Sequence, residues 1–266
     1  MKRVLQTSKF HFTYAEDTVD PADSHILWED HCHARYEMIA VLEGDVTVMQ
    51  EGRHFRLTDG QVMILPPLGY HAVTVNKKGV YRRLTVLFEP SSIPEILRED
   101  FTRRDAEPAC FPLPRGHEVS AMGHWESLLY YEPLLESLMI RVFYHRLQAP
   151  APRGEEGADG EFLPSITAYI DSHLEEQIRL EDLARHTARS ASFVSHLFEE
   201  KMGIPPGQYI LRKRMAYAQK LMVEGHSATE VAARLGYKSY TAFYRVYRKH
   251  CGVTPQASKS TRAPDS

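Results

Sequence analysis

Six residues near the C-terminus could do chemistry on a polyanion: Tyr240, Thr241, Tyr244, Arg245, Arg248 and Lys249. At helical spacing they share an outer face, while Ala242, Phe243, Val246 and Tyr247 fall on the opposite one. An arginine can grip guanine with two parallel hydrogen bonds, and a hydroxyl gives a less discriminating bond to a base edge. Such a face needs elements to hold it. Ser227 followed by Glu230 is a capping box that starts a helix, and Val231, Ala232 and Leu235 give that helix an apolar stripe. Gly236 ends it, Ser239 caps the next helix, and Gly252 and Pro255 stop that one. A short helix, a tight turn and a second helix with a cationic outer face make a helix-turn-helix, whose second helix enters the major groove.

The pattern occurs twice. Leu180–Ala184 begins one helix, and Ser190 caps another that carries Phe193, Val194, Leu197 and Phe198 inward. Gly203 to Pro206 breaks it, and a long helix runs from about Pro206 to Glu224. Residues 183–203 form a first motif, 231–252 a second, and the long helix is the strut between them. Base reading falls to outward residues at the N-terminal ends of the two recognition helices. These are Ser192, Ser195 and His196 in the first and Tyr240, Thr241 and Arg245 in the second.

This segment resembles the AraC/XylS family of bacterial transcription regulators. The match is carried by Leu183, Ala184, Ser190, Leu197, Phe198, Gly203, Pro206, Tyr209, Arg214, Ala218 and Leu221, then by Glu230, Val231, Ala232, Gly236, Tyr237, Phe243, Arg245, Tyr247, Lys249, Gly252 and Pro255. Tyr237 and Tyr247 stand where the family usually has Phe, Ala228 where it has Ile, and Ser258-Lys259 where it has Tyr-Arg. The family often places Arg at position 196 and Lys at 199 or 200. His196, Glu199 and Glu200 here leave the first motif with no arginine on its reading surface. The resemblance implies double-stranded promoter DNA as a partner, with RNA polymerase as a further candidate.

Composition bounds the rest. The chain has 266 residues, 43% hydrophobic and 25% charged, the balance of a soluble globular protein with room for two cores. No apolar run is long enough to span a bilayer and no signal-peptide pattern stands out, so a cytoplasmic protein without membrane partners is expected. Cys32, Cys110 and Cys251 are odd in number and widely spaced, which fits a reducing compartment. The net charge of -3 hides an asymmetry: residues 162–266 hold 15 basic against 10 acidic residues, and residues 1–147 hold 16 against 21. A basic C-terminal half is the footprint of a polyanion binder.

The first ninety or so residues read as strands. Short apolar runs at Met38–Leu42, Val46–Met49, Val62–Leu65, Ala72–Val75 and Leu84–Phe88 alternate with turn signals such as Glu51-Gly52 and Asp59-Gly60. That spacing suggests a β-sandwich or barrel. His31 and His33, at i and i+2, can share one strand face. His31-Cys32-His33, Glu37 and Gly44, followed by Gly60, Pro66, Gly69 and His71, resemble the two cupin motifs. The resemblance implies a cupin-like barrel as an effector-sensing domain, and it makes His31, His33, Glu37 and His71 the matching metal-ligand positions. Three imidazoles and a carboxylate suit a divalent transition ion. In regulators the same residues also persist hydrogen-bonded to one another or touching effector, and no metal is required. Trp28, Tyr36, Tyr70 and Tyr81 flank these strands, and aromatic faces suit a sugar or small organic effector. Trp28, His31, His33, Tyr36, Glu37 and His71 are therefore the candidate effector contacts. Arg35, Arg53, Arg56, Arg82 and Arg83 could pair with an effector carboxylate or phosphate.

Between the halves, Ser92–Arg104 is amphipathic, and two helical patterns follow from about Val119, interrupted near Glu132-Pro133. Leu134, Leu135, Leu138, Met139, Val142, Phe143 and Leu147 form a wide apolar stripe, which must bury itself on the outside of the barrel or on a second subunit. The resemblance favours a homodimer. Gln148–Glu161 is rich in Pro, Gly and acidic residues and reads as a linker. The expected architecture is α+β in two domains: a cupin-like effector-binding and dimerisation domain over 1–147, a linker over 148–161, and an all-α DNA-binding domain with two helix-turn-helix motifs over 162–266. The reading is a ligand-responsive transcription regulator without catalysis. The alternative is a cupin metalloenzyme with a helical appendage.

Overall fold

A computed structural model describes residues 2–22, 33–103, 109–113, 132–149 and 162–260. Nine strands come first: β1 (Lys2–Gln6), β2 (Phe10–Val19), β3 (Tyr36–Glu43), β4 (Asp45–Gln50), β5 (Arg53–Thr58), β6 (Gln61–Leu65), β7 (His71–Val75), β8 (Gly79–Phe88) and β9 (Ala109–Pro112). They form a six-stranded sheet in the order β1-β2-β8-β3-β6-β9 and a three-stranded sheet in the order β5-β4-β7. The two sheets face each other across Ile39, Val41, Val46, Val48, Phe55, Leu57, Met63 and Val73. Among the described residues, hydrogen bonding does not close them into one ring, so the expected barrel is an open pair of sheets.

Successive strand residues point to opposite faces. The outer face of the large sheet carries Phe12, Tyr36, Met38, Val86 and Phe88. Among the described residues two helices cover it, α1 (Glu95–Thr102) and α2 (Glu132–Gln148). Leu135, Leu138, Met139, Val142 and Phe143 of α2 are buried there. Of the two places open to that apolar stripe, the sheet is where it lies. An aromatic nest fixes the contact: Tyr36 stacks on Phe88 at 5.1 Å, and Phe143 meets Phe88 at 5.2 Å and Phe101 at 5.4 Å. Pro133 stands within α2, in its first turn, where a proline costs no intrahelical hydrogen bond. The helical pattern expected before it, from about Val119, lies outside the described residues.

The C-terminal half is helical: α3 (Phe162–Ser172), α4 (Leu180–Thr187), α5 (Ala191–Met202), α6 (Pro206–Val223), α7 (Ala228–Arg234), α8 (Tyr240–Cys251) and α9 (Pro255–Ser260). Local signals set the ends of these helices. Ser190 accepts from Phe193 N at 3.2 Å, Ser227 and Glu230 complete a capping box, and Ser239 accepts from Ala242 N at 3.2 Å. Recognition helices α5 and α8 end on Gly203 and Gly252, both in the left-handed region at φ 73° and 72°. One cluster joins α3, α4 and α5 to the start of α6, and a second joins the end of α6 to α7 and α8. The strut thus belongs to both cores. α8 ends at Gly252, as the sequence indicates, and Pro255 opens a separate short helix, α9.

Candidate functional site

Among the described residues, two places can do chemistry. The first is a cavity of about 240 Å³ against the inner face of the large sheet. Strand register assembles it. Lys2 pairs with Ala15 and Ala15 with Arg83, so these three form one row across β1, β2 and β8. Thr13 pairs with Thr85 and Thr85 with Ile39, which makes the next row. Glu37, His71, Ala72 and Val73 complete the lining. Arg83 is buried, donates to Asp17 at 2.7 Å and lies 4.9 Å over the Tyr81 ring. The large sheet therefore lines one wall with cations, hydroxyls and the Glu37 carboxylate, and the small sheet brings the His71 imidazole up to that carboxylate from a second wall.

The junction of the two walls is tightly built. Glu37 Oε2 lies 2.7 Å from His33 Nε2 and 3.0 Å from His71 Nε2. The other nitrogen of each ring faces a backbone carbonyl: His33 Nδ1 lies 2.9 Å from Arg35 O, and His71 Nδ1 lies 2.8 Å from Gly69 O. A carbonyl only accepts, so each Nδ1 carries the proton. Each neutral Nε2 would then be an acceptor facing a carboxylate, which is also an acceptor. A second proton on the ring, or a cation between the groups, resolves the clash. The three ligand atoms lie within 4.8 Å of one another, and ring N–H groups held by carbonyls are the usual support for metal-binding histidines. The donor set fits a divalent transition ion, as two imidazoles and one carboxylate. His31, the fourth expected member, and Trp28 lie outside the described residues.

Tyr36 is a correction. It precedes Glu37 on β3, so it points to the opposite face, where it is 1% exposed against Phe88 and away from the cavity. Tyr81 is buried between the sheets and Tyr70 against the helical half. Of the five arginines considered, Arg83 lines the cavity, whereas Arg56 pairs with Asp45 and Arg82 with Glu16 and Glu43. Lys2, Thr13 and Thr85 escaped the sequence reading, because only register brings them together.

The second place is the outer face of the recognition helices. On α8, Thr241, Arg245, Arg248 and Lys249 are exposed. Tyr240 is a correction: its ring packs on Phe243 and Tyr244, and its hydroxyl is buried, so it offers no bond to a base edge. On α5, Ser192 and His196 are exposed and Ser195 is half-buried. Phe193 is also a correction. It is 43% exposed rather than inward, with its ring against Phe162 and Arg189. Arg214 ties the two motifs together, donating to Glu176 O and to Leu235 O.

Sheets enclosing a polar cavity, followed by paired helix-turn-helix units on one strut, define a sensing domain joined to a nucleic-acid-binding domain. Comparison with known proteins agrees. Residues 20–125 match the AraC-like ligand binding domain, and residues 183–260 match a helix-turn-helix domain. In both halves the chain is thus similar to the AraC-type transcription regulators. It is 24% identical over 240 residues to the HTH-type transcriptional regulator YobQ of Bacillus subtilis, covering 90% of this chain and 92% of YobQ. It is 38% identical over 90 residues to the regulatory protein PocR of Salmonella typhimurium, where it spans only 30% of PocR's length and 34% of its own. Among solved structures, fatty-acid-bound ToxT from Vibrio cholerae aligns over 98% of this chain and 99% of ToxT, with 12% identity and a TM-score of 0.44. No described helix is long and apolar enough to cross a membrane.

Proposed function

We propose that this chain is a ligand-responsive transcription regulator that binds promoter DNA through both helix-turn-helix motifs and senses a small polar molecule in the cavity. Residues 1–147 are the sensing half, 148–161 the linker and 162–266 the DNA-binding half, acting in the cytoplasm as a homodimer. The observation that carries the reading is the coexistence, in one chain, of a polar cavity lined by Arg83 and Glu37 and an exposed Arg245 on the second recognition helix. A sugar or small organic metabolite fits the cavity's size and its polar walls. The relatives are named as regulators, which gives the metalloenzyme alternative no support. Genome-wide mapping of bound sites, with gel-shift binding to the chain's own upstream region, tests the reading. A shared sequence motif at the bound sites is expected. Equal affinity for mixed-sequence DNA would overturn it.

The facing acceptors of His33, Glu37 and His71 favour a second reading of the cavity, in which a divalent transition ion sits among them. When bound, the ion supplies a positive centre that could anchor an effector oxygen. The chain's part is to hold the rings by their Nδ1–H groups. Protein purified without added metal should then carry a stoichiometric ion that is lost in Glu37→Gln. If protons hold the cluster instead, chelator changes neither stability nor composition.

A further inference from the structure

The turn between β4 and β5 reaches out of the sensing half and grips the strut. Gln50 pairs with Arg53, so the turn is the two residues Glu51 and Gly52, both at positive φ, 51° and 78°. Positive φ is uncommon for a glutamate and persists only where its surroundings enforce it. The Glu51 carboxylate accepts from Tyr70 N at 2.8 Å, from Lys213 Nζ at 3.0 Å and from the Tyr209 hydroxyl. Lys213 is 1% exposed and also pairs with Asp171 at 2.7 Å. Arg212, one position earlier on α6, donates to the Tyr70 hydroxyl at 3.3 Å and lies 5.8 Å over its ring. Beside them the backbone of Gly52 comes so close to α3 that a Cβ there would stand 2.6 Å from Leu163.

Two cations of the DNA-binding half are thus held by the sensing half. Arg212 otherwise belongs with the cationic end of α8: His250 is held below the ordinary imidazole range by burial and then by the charges of Lys249 and Arg212. The grip is also continuous with the cavity. Tyr70 immediately precedes His71, whose ring lies on Glu37, and Gln50 pairs with His71 across the small sheet. A shift of His71 on filling the cavity would move both residues that hold the strut.

We propose that the Glu51 turn is a releasable clasp that restrains DNA binding by withdrawing Lys213 and Arg212 from the cations available to phosphate. The proposal rests on DNA binding by the helical half. Phosphate contacts are independent of sequence, so a mixed-sequence duplex suffices as probe, with affinity of the full chain measured by fluorescence anisotropy across a salt series. Glu51→Gln and Lys213→Met both open the clasp, and circular dichroism checks that each retains its fold. Lys213→Met is the decisive variant, because it deletes a positive charge and should weaken binding if bare charge were all that mattered. The clasp predicts the reverse: tighter binding by roughly threefold or more, with a log-log salt slope steeper by about 0.9 for one recovered phosphate contact at Arg212. Adding Arg212→Ala to Lys213→Met should remove that gain. Tighter binding by Glu51→Gln together with weaker binding by Lys213→Met would reduce the effect to charge and overturn the clasp. Unchanged affinity in both would also overturn it. A wild-type chain that binds no duplex at any salt would instead refute DNA binding itself.

Discussion

Arg214 should be the residue on which the relative placement of the two helix-turn-helix motifs depends. Its side chain is 9% exposed, and its guanidinium bonds Glu176 O, between α3 and α4, and Leu235 O, at the end of α7. Arg214→Met keeps the packing volume and removes both bonds. A hydrogen bond to a charged group contributes about 1.5–3 kcal/mol, so the pair is worth about 3–6. The Leu235 bond is fully buried, and its carbonyl would be left without a partner; the Glu176 bond is only partly buried, and water can replace it. The loss should therefore lie toward the lower end, about 3–4 kcal/mol, a large share of the roughly 5–15 that holds a domain folded. Arg214→Lys should recover about half, since a single ammonium cannot span both carbonyls as the planar fork does. Urea unfolding followed by far-ultraviolet circular dichroism reads the helical half, and gel shifts on the same variants read DNA affinity. A loss under about 1 kcal/mol in Arg214→Met, or full recovery in Arg214→Lys, would show that the fork does not join the motifs.

Three further outcomes are expected. Arg245→Ala should cost about 1–3 kcal/mol on the specific site and relax preference at one base position, and unchanged preference would take Arg245 off the reading surface. The Asp45 carboxyl is held down to about 2 by hydrogen bonds from Arg56 and Asn76, so it adds stability above its ordinary 3.8 and loses it as pH falls toward 2. The melting-temperature gap between wild type and Asp45→Asn should thus be widest near neutrality and close between about pH 4 and 2, whereas a constant gap would refute the assignment. Burial pushes the thiols of Cys110 and Cys251 from 9.0 up to about 11. In a Cys32→Ser background both should react with a disulfide reagent about a hundredfold more slowly, near pH 8, than the same thiols in the unfolded chain, and equal rates would contradict their burial.

The helical half was legible because its signals are local. Ser190, Ser227 and Ser239 cap the helices that follow them, and Gly203 and Gly252 end α5 and α8, all within a few residues of what they control. Periodicity did less well at helix margins. Phe193, next to the cap of α5, turns outward onto Phe162 and Arg189, partners that lie on α3 and just before the cap. Tyr240 sits at the corresponding margin of α8 and turns inward. In the strands, the alternation that placed Glu37 inward should also have placed Tyr36 outward, so that error was avoidable from the sequence. The cavity was a different matter. Lys2, Ala15 and Arg83 meet because β2 lies between β1 and β8 in one particular register, and no local signal states a pairing between residues 2 and 83.

The clasp was least legible of all, and for a physical reason that bears on function. Its partners Glu51 and Lys213 are 162 residues apart, and each looks ordinary in its own element. Glu51 fills a hairpin turn, and Lys213 sits in a helix whose pattern marks it as one more cation. A contact between residues so far apart leaves no mark in the local pattern of either one. The stable features, the caps and the core faces, are written locally. The contacts that tie the small sheet to α6 are written only in three dimensions, where Gln50 pairs with His71 and Tyr70 and Glu51 hold Arg212 and Lys213.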